Sequence, residues 1–149
     1  MDQQKKTIIY SGNIHSDARG QVRFVNDFNF EGVKRFYQIE NSPNNPIRAF
    51  HGHKKEEKYV YVASGSILLC AIYIDNFENP SKKASIERLI LTDKNPQVIY
   101  IPPHFANGIK TLEKDTRVIF YSTTSLKDSI ADDYRIPYDY WGTDIWQKF

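Results

Sequence analysis

The stretch from residue 47 to residue 74 reads IRAFHGHKKEEKYVYVASGSILLCAIYI, in which short apolar runs alternate with polar turns. The runs Ile47–His53, Tyr59–Ala63 and Ile67–Ile74 are rich in the β-branched and aromatic residues that favour strands. A charged bend separates the first two runs, and Ser64–Gly65–Ser66 between the last two predicts a tight hairpin. This stretch therefore predicts consecutive β-strands.

The same pattern continues on both sides, and amphipathic helical patterns are hard to find. Many short strands at this spacing predict an all-β sandwich or jelly-roll barrel with few or no helices. We expect one domain over residues 1–149, with residues 126–149 as a C-terminal arm that packs its rings over a barrel end. An alternative is that the arm also closes the pocket. The other predicted strands are Thr7–Tyr10, Gln21–Val25, Val33–Glu40, Ala84–Leu91, Gln97–Ile101, Gly108–Leu112 and Arg117–Thr123.

Composition and charge limit the classes of function that are expected for this chain. The net charge is +2 and the charged residues are spread along the chain. This balance gives no electrostatic reason to expect nucleic acid or an anionic membrane as the main partner. Cys70 is the only cysteine, so no internal disulfide can form, and its apolar neighbours predict a buried thiol. No segment has the pattern of a signal peptide or a membrane span, so we expect a cytoplasmic protein.

The chemistry concentrates in residues 48–58, which read RAFHGHKKEEK. On a strand, residues two apart point to the same face, so His51 and His53 are expected to project together into the barrel. Two such imidazoles can bind a metal, or one can act as a base near neutral pH. The alternative is a pair of exposed surface histidines. Arg48 has the opposite parity and reaches the same pocket only if a β-bulge intervenes.

These residues resemble the first motif of the cupin superfamily, in which His-x-His is followed by a glutamate and a later glycine. His51 and His53 match the histidines, Glu56 or Glu57 matches the glutamate, and Gly65 matches the glycine. The resemblance implies a barrel whose mouth holds the two imidazoles.

Residues 101–108 resemble the second cupin motif. Metal-binding cupins have a histidine where this chain has Asn107, and asparagine is a poor ligand for a borderline divalent ion. If a metal were bound, its ligands would be His51, His53 and Glu57.

A closer resemblance is to the metal-free cupins of the dTDP-4-dehydrorhamnose 3,5-epimerase family, and it runs from about Asp17 to Trp146. It implies an RmlC-like jelly roll. The form His-x-His-Lys-Lys is also similar to the smaller dTDP-4-keto-6-deoxyglucose 3,4-ketoisomerases. The motifs that match the epimerase family are Asp17–Ala18–Arg19–Gly20, Gln38 to Ser42, Arg48–Ala49–Phe50–His51, Lys58 before Gly65, Ile101 to Gly108, and Tyr121.

The resemblance implies proton abstraction beside a keto group, with neither metal nor redox cofactor. His51 would be the base, and Lys58 and Arg48 would stabilise the enolate oxygen. In an epimerase, Tyr121 would return a proton on the opposite face of the sugar. In a ketoisomerase, His53 would shuttle the proton to the neighbouring carbon.

The resemblance also implies binding roles. Arg19 and Gln38 would hold the nucleotide diphosphate, since guanidinium groups suit phosphate geometry. Tyr59 and Tyr61 share one strand face and either stack on the substrate or pack in the core, and Asn107 is expected in the site. The aspartate that orients the epimerases' histidine has no counterpart, and the candidates to replace it are Asp132, Asp133 and Glu57.

We therefore expect a cofactor-independent isomerase that epimerises C3, C5 or both of a dTDP-4-keto-6-deoxyhexose for polysaccharide synthesis. The alternatives are a 3,4-ketoisomerase on the same substrate class, a metal-dependent dioxygenase-like cupin, and a sugar-binding cupin without activity. We also expect a homodimer that exchanges the strand Thr7–Tyr10, which would cover a sheet edge.

Overall fold

The computed structural model describes residues 3–147. In that range strands dominate, and the helical segments are one α-helix of six residues, α1 (Leu126–Ala131), and one 3-10 turn, Asp144–Trp146. The strands are β1 (Ile8–Ser11), β2 (Asn13–Asp17), β3 (Gly20–Phe24), β4 (Arg35–Ile39), β5 (Ile47–His53), β6 (Lys58–Ser64), β7 (Ser66–Tyr73), β8 (Ile86–Thr92), β9 (Gln97–Ile101), β10 (Phe105–Thr111), β11 (Arg117–Ser122) and β12 (Tyr134–Arg135).

Two five-stranded antiparallel sheets form the body of the domain. The first sheet has the strand order β1-β9-β6-β11-β4 and the second has β12-β5-β10-β7-β8. A core between them takes apolar side chains from both, so the sheets pack face to face. The expected all-β jelly roll of the cupin type is confirmed. Strands β2 and β3 form a separate hairpin that turns at Asp17–Gly20.

Alternation along the strands of the first sheet decides which side chains enter this core. Val60 and Val62 of β6 and Phe120 of β11 point inward, whereas their neighbours Tyr59 and Tyr121 point outward. Strand β7 is buried on both faces, which explains its unbroken apolar run.

The start of the C-terminal arm, α1 and residues 133–135, lines the cavity between the sheets, in line with the alternative that the arm closes the pocket. The rest of the arm covers the outer face of the second sheet and not a barrel end. Its rings and aliphatic side chains pack against β5, β7 and β10 and bury a second apolar cluster. The arm contributes Ile136, Tyr140, Trp141, Ile145 and Trp146 to this cluster, which includes Phe50, Leu68, Cys70, Ile72 and Ala106. Cys70 is buried as expected.

The hairpin predicted at Ser64–Gly65–Ser66 is wrong. Strand β6 pairs with β9 and β11, while β7 pairs with β8 and β10, so the chain crosses here from one sheet to the other. Gly65 has φ +80°, and a Cβ atom on it would lie 2.2 Å from Thr116 Oγ1. The turn chemistry was read correctly, but a tight turn does not determine which strands pair.

The N-terminal strand lies at an edge of the first sheet. Ile8 to Ser11 pair with Tyr100 to Gln97 of the same chain. Among residues 3–147, neither helical segment has the length and apolar character that crossing a bilayer would require.

Candidate active site

A cavity of about 300 Å³ opens between the two sheets at one end of the barrel. Its walls are β4, β6 and β11 from the first sheet, β5 and β10 from the second, and α1 with the segment that follows it. The lining residues are Arg35, Tyr37, Ile39, Arg48, His51, His53, Glu56, Lys58, Asn107, Ile109, Phe120, Leu126, Ser129, Ile130, Asp133 and Arg135.

His51 and His53 both line this cavity from β5, as their shared parity predicted. Burial, followed by the positive charges of Arg135 and Lys58, lowers the pKa of His51 to about 4. Its imidazole is therefore neutral at physiological pH. Within residues 3–147, no side chain or backbone group hydrogen-bonds its ring, so both nitrogens remain available to a ligand.

Arg48 reaches the same cavity because β5 carries the bulge that its parity requires. His51 pairs with Asn107 and Arg48 pairs with Ile109, so two residues of β5 lie opposite Gly108 alone. A Cβ atom on Gly108 would lie 2.3 Å from the Ala49 Cβ, which explains the glycine.

Glu56 is the centre of the charge network on the cavity wall. Its Oε1 accepts hydrogen bonds from Arg35, Ser122 and Thr124. Its Oε2 lies 3.2 Å from His53 Nε2 and 3.5 Å from Lys58 Nζ. Burial alone raises the pKa of this carboxyl, but Lys58 and the other partners outweigh burial and lower it to about 2. Glu56 is therefore ionised.

Glu57 points away from the cavity, because adjacent residues of an extended chain project to opposite sides. Its carboxylate accepts a hydrogen bond from the Tyr100 hydroxyl. The alternative metal set of His51, His53 and Glu57 is therefore not brought together. Among residues 3–147, no cluster of three His, Cys, Asp or Glu side chains has a geometry suited to a metal ion.

Lys58 and Asn107 lie in the cavity wall, as expected from their motifs. The Lys58 side chain is buried, and its ammonium group pairs with Glu56 and lies 5.5 Å from the centroid of the Phe120 ring. Burial lowers the pKa of Lys58, and the charge of Glu56 opposes that effect. Asn107 lies opposite His51 in the β5–β10 ladder.

Asp132 fixes the turn that follows His53. Its carboxylate accepts the backbone N–H groups of Lys54, Lys55 and Glu56 at 2.8, 2.8 and 3.1 Å. Its backbone carbonyl lies 2.5 Å from His53 Nδ1. Asp132 therefore orients His53, and does so through its carbonyl.

None of the three carboxylates considered as partners of His51 hydrogen-bonds its ring. Asp132 caps the turn, and Glu57 binds Tyr100. Asp133 lines the cavity but pairs with Arg135 at 2.9 Å.

Tyr121, the expected acid, does not line the cavity, and neither do Tyr59 and Tyr61. Tyr121 lies on the outer face of β11, with its ring centroid 4.4 Å from that of Phe30. Phe120 takes the inward position instead. Tyr59 packs on the same outer face, 5.2 Å from Tyr100 between ring centroids.

Gln38 and Arg19 also lie away from the cavity of their own chain. Gln38 is on the outer side of β4, where its amide donates to Glu40 at 3.4 Å. Arg19 is at the turn of the β2–β3 hairpin, exposed, and paired with Asp17 at 2.7 Å.

Three charged or polar groups of the cavity wall were not expected from the sequence, namely Arg35 and Tyr37 of β4 and Arg135 of β12. Tyr37 stacks on Phe120 with 5.4 Å between ring centroids. Burial and the charge of Glu56 raise its pKa, so the phenol keeps its proton. The available signal was the alternation of Arg35, Tyr37 and Ile39, which places one face of β4 in the cavity.

Comparison with known proteins agrees with the cupin-type fold. The chain is 27% identical over 128 residues to the spore coat polysaccharide biosynthesis protein SpsL of Bacillus subtilis. The aligned region covers 84% of this chain and 83% of SpsL. The fold of this chain is similar to that of dTDP-4-dehydrorhamnose 3,5-epimerase from Sulfolobus tokodaii, with 24% identity, a TM-score of 0.71, and coverage of 94% of this chain and 85% of that chain.

The fold is also similar to that of the sugar 3,4-ketoisomerase QdtA from Thermoanaerobacterium thermosaccharolyticum. Identity is 18%, the TM-score is 0.67, and 93% of each chain is covered. The family model described as dTDP-4-dehydrorhamnose 3,5-epimerase matches residues 4–139. Since this match spans most of the chain, the chain belongs to the dTDP-4-dehydrorhamnose 3,5-epimerase family of sugar isomerases.

Proposed function

We propose that this protein epimerises C3, C5 or both of a dTDP-4-keto-6-deoxyhexose. The observation that carries the proposal is the neutral, unpartnered imidazole of His51, which lines a partly enclosed cavity together with the ammonium group of Lys58. A base and a fixed cation in one cavity are the two groups that enolate chemistry needs.

The first step breaks a C–H bond next to the 4-keto group. His51 takes the proton, and the electron pair of that bond moves through the new C=C bond to the keto oxygen, which becomes an enolate. Lys58, whose side chain is buried in the cavity wall, stabilises the negative oxygen through its ammonium group.

The second step needs a proton donor on the other side of the sugar, and we assign that role to Tyr37 in place of Tyr121. Tyr37 comes from β4 of the first sheet, whereas His51 comes from β5 of the second, so the two line the cavity from opposing sheets. The enolate oxygen regains its C=O bond as the electron pair of the C=C bond takes the proton of the Tyr37 phenol. Solvent then accepts the proton from the His51 imidazolium and reprotonates the Tyr37 phenolate. The configuration at that carbon is inverted.

The diphosphate of the substrate is expected at the mouth of the cavity, where Arg48 and Arg135 present guanidinium groups. Arg19 lies outside the cavity of its own chain, so the binding role implied by the family resemblance requires a second chain. We therefore assign Arg19 to the partner's site in a homodimer.

The outer face of the first sheet is the interface that we assign to this dimer. Phe30 and Phe36 are 44% and 69% exposed there, beside Tyr121 and Tyr59. Exposed aromatic patches of this kind mark protein contacts. Analytical ultracentrifugation of the purified chain tests the assignment, and a monomer at micromolar concentration would contradict it.

A 3,4-ketoisomerase is the second candidate. The same enolate forms in both reactions, and a single base can return its proton to the neighbouring carbon. The free ring of His51 is compatible with that path, which does not need Tyr37. The products distinguish the two reactions.

Incubation of the protein with dTDP-4-keto-6-deoxyglucose in heavy water, followed by proton NMR, tests the proposal. An epimerase gives deuterium at C3 or C5 with inverted configuration, and a ketoisomerase gives a 3-keto product. Tight binding without deuterium incorporation would contradict both and indicate a sugar-binding cupin. Activity that depends on an added divalent metal would indicate the metal-dependent class.

The product is expected to enter the synthesis of a surface polysaccharide, as the name of the relative SpsL suggests. Nucleotide sugars are made in the cytoplasm, and we assign the protein to that compartment. Fractionation of cells that produce the tagged protein tests the location.

A further inference from the structure

A single carboxylate holds the Lys58 ammonium group in the cavity wall. Lys58 Nζ lies 3.5 Å from Glu56 Oε2, and among residues 3–147 no other carboxylate forms an ion pair with it. A lysine side chain is a flexible four-carbon chain with a compact charge at its end, so its partners determine where that charge lies. The position of the Glu56 carboxylate therefore decides where the ammonium group stands in the cavity.

The Glu56 carboxylate is itself fixed by donors from other elements. Its Oε1 accepts hydrogen bonds from Ser122 Oγ at 2.8 Å, from Arg35 Nη2 at 3.2 Å and from Thr124 Oγ1. Its backbone N–H donates to the Asp132 carboxylate at 3.1 Å. The side chain is fully buried. Because the three side-chain donors all bind Oε1, Oε2 is left to face Lys58.

Two cations share this one carboxylate. Arg35 pairs with Oε1 at 3.2 Å and Lys58 pairs with Oε2 at 3.5 Å, so two positive charges and one negative charge leave a net charge of +1. Arg35 is held in place by a further hydrogen bond to the carbonyl oxygen of Thr124 at 3.2 Å. Glu56 would neutralise Lys58 if it had no other cation, but Arg35 compensates Glu56, and one positive charge remains for an anion in the cavity.

We propose that Glu56 and Arg35 are positioning residues for the enolate oxygen, because Glu56 holds the Lys58 ammonium group in place and Arg35 compensates the charge of Glu56. The proposal rests on the proposed function, in which Lys58 stabilises the negative oxygen. Glu56 and Arg35 both act through Lys58, and neither takes part in proton transfer.

Charged and titratable groups face Lys58 from several elements. Burial lowers the pKa of Lys58, Glu56 opposes that effect, and Arg35 of β4 adds to it. Asp133, from the segment after α1, raises the pKa of Lys58. The two histidines of β5 also line the cavity, and burial lowers the pKa of both, so they add no charge at neutral pH. Glu56 and Arg35 therefore act on the Lys58 proton in opposite directions.

NMR of the full chain labelled with ¹³C-lysine, without substrate, measures the titration of Lys58, and Lys58→Met identifies its signal. Glu56→Gln should lower the pKa of Lys58, because a negative neighbour is lost. Arg35→Gln should raise it, because a positive neighbour is lost. Glu57→Gln is the matched control and should leave it unchanged, since Glu57 binds Tyr100. Any other direction in either of the first two variants, or no shift, would overturn the proposal.

The activity readout is the pH profile of deuterium exchange into the substrate. Glu56→Gln should lower the rate at neutral pH about 100-fold, since loss of one oxyanion donor costs roughly 100- to 1,000-fold. The fall of the rate at high pH should begin at a lower pH in this variant and at a higher pH in Arg35→Gln. Arg35→Lys, which keeps the charge, should recover most of the rate that Arg35→Gln loses.

A merely structural role would lower the amount of folded protein in both variants without moving the two profiles in opposite directions. Unaltered rates in folded Glu56→Gln and Arg35→Gln would overturn the positioning role. If Glu56→Gln does not fold, the two Arg35 variants still decide, since the Arg35 side chain is 25% exposed. No exchange in the unaltered protein would contradict the proposed function, and the enolate role with it. The substrate-free titration separately decides whether Glu56 and Arg35 control the charge of Lys58.

Discussion

The two faces of the first sheet are built from alternate residues of the same strands, yet they have opposite characters. The inner face near the cavity presents Arg35, Tyr37 and Lys58 around Glu56. The outer face presents Phe36 and Tyr121 in an exposed aromatic patch. A shift of one position along β4 or β11 therefore exchanges the environment of the cavity for that of the exposed aromatic patch. Whether a tyrosine lines the cavity therefore depends more on the strand face from which it projects than on its place in a sequence motif.

Among substitutions on the inner side, the largest loss of rate is expected for the base, His51. His51→Gln should lower the rate of deuterium exchange at carbon about 1,000-fold, because general bases contribute roughly 100- to 10,000-fold. His15→Gln is the control, since His15 lies in the β2–β3 hairpin. NMR in heavy water measures both rates, and fast exchange in His51→Gln would remove His51 from the mechanism.

The two tyrosines test the comparison between the faces directly. Tyr37→Phe should lower the rate of inversion about 100-fold, because the acid is lost while the base remains. Exchange of the proton that His51 removes should continue with retention of configuration. Tyr121→Phe should keep inversion within about threefold of the unaltered rate. The opposite ranking of the two variants would return the acid to Tyr121.

Substitutions on the outer face should change dimer formation and should not change proton abstraction by His51. Phe36→Ser should weaken the dimer about tenfold, since exposed aromatic anchors carry much of the energy of an interface. Gel filtration over a concentration series measures the change. Binding of dTDP should weaken with dissociation if Arg19 serves the partner's site, and should stay unchanged if it does not.

The smallest expected effect is that of mildly acidic pH on the rate. Since the pKa of His51 is about 4, the base stays neutral, and the exchange rate should change less than about twofold between pH 5.5 and 7.5. An ordinary histidine, with a pKa of about 6.5, would lose most of its activity over that range. At high pH the rate should fall as Lys58 loses its proton, below the pKa of an ordinary lysine.

The free energy of unfolding should also depend on pH through His51, and the pKa of His51 fixes the sign of that dependence. The pKa of His51 is lower in the folded chain than in the unfolded chain, so between about pH 6.5 and pH 4 the unfolded state binds more protons at this site. The contribution of His51 to the free energy of unfolding is therefore complete above that range and falls as the pH decreases. Urea titrations at several pH values, compared with those of His51→Gln, measure it.

The sequence was sufficient to predict the fold and most of the cavity wall that β5 forms. Alternating apolar residues and turn signals act locally, so they predicted most of the strands, although not β2 or β12. The parity of His51 and His53 predicted their common direction. The bulge that brings in Arg48 was required by parity and is present.

The sequence does not show which strands pair with each other, or which face of each strand points into the barrel. Ser64–Gly65–Ser66 has hairpin chemistry, but strand pairing depends on distant segments. In β11, which reads RVIFYS, both parities are apolar, so the pattern does not reveal that Phe120 points inward and Tyr121 outward. Tyr37 was missed although its alternation with Arg35 and Ile39 in β4 was an available signal.

Asp132 has a consequence for how this molecule folds. One side chain of the arm closes the loop between β5 and β6, and one carbonyl of the arm holds His53. Asp132 therefore couples the shape of residues 54–56 to the position of the arm. Amide hydrogens of residues 54–56 should exchange with solvent in step with those of the arm, as a single cooperative unit.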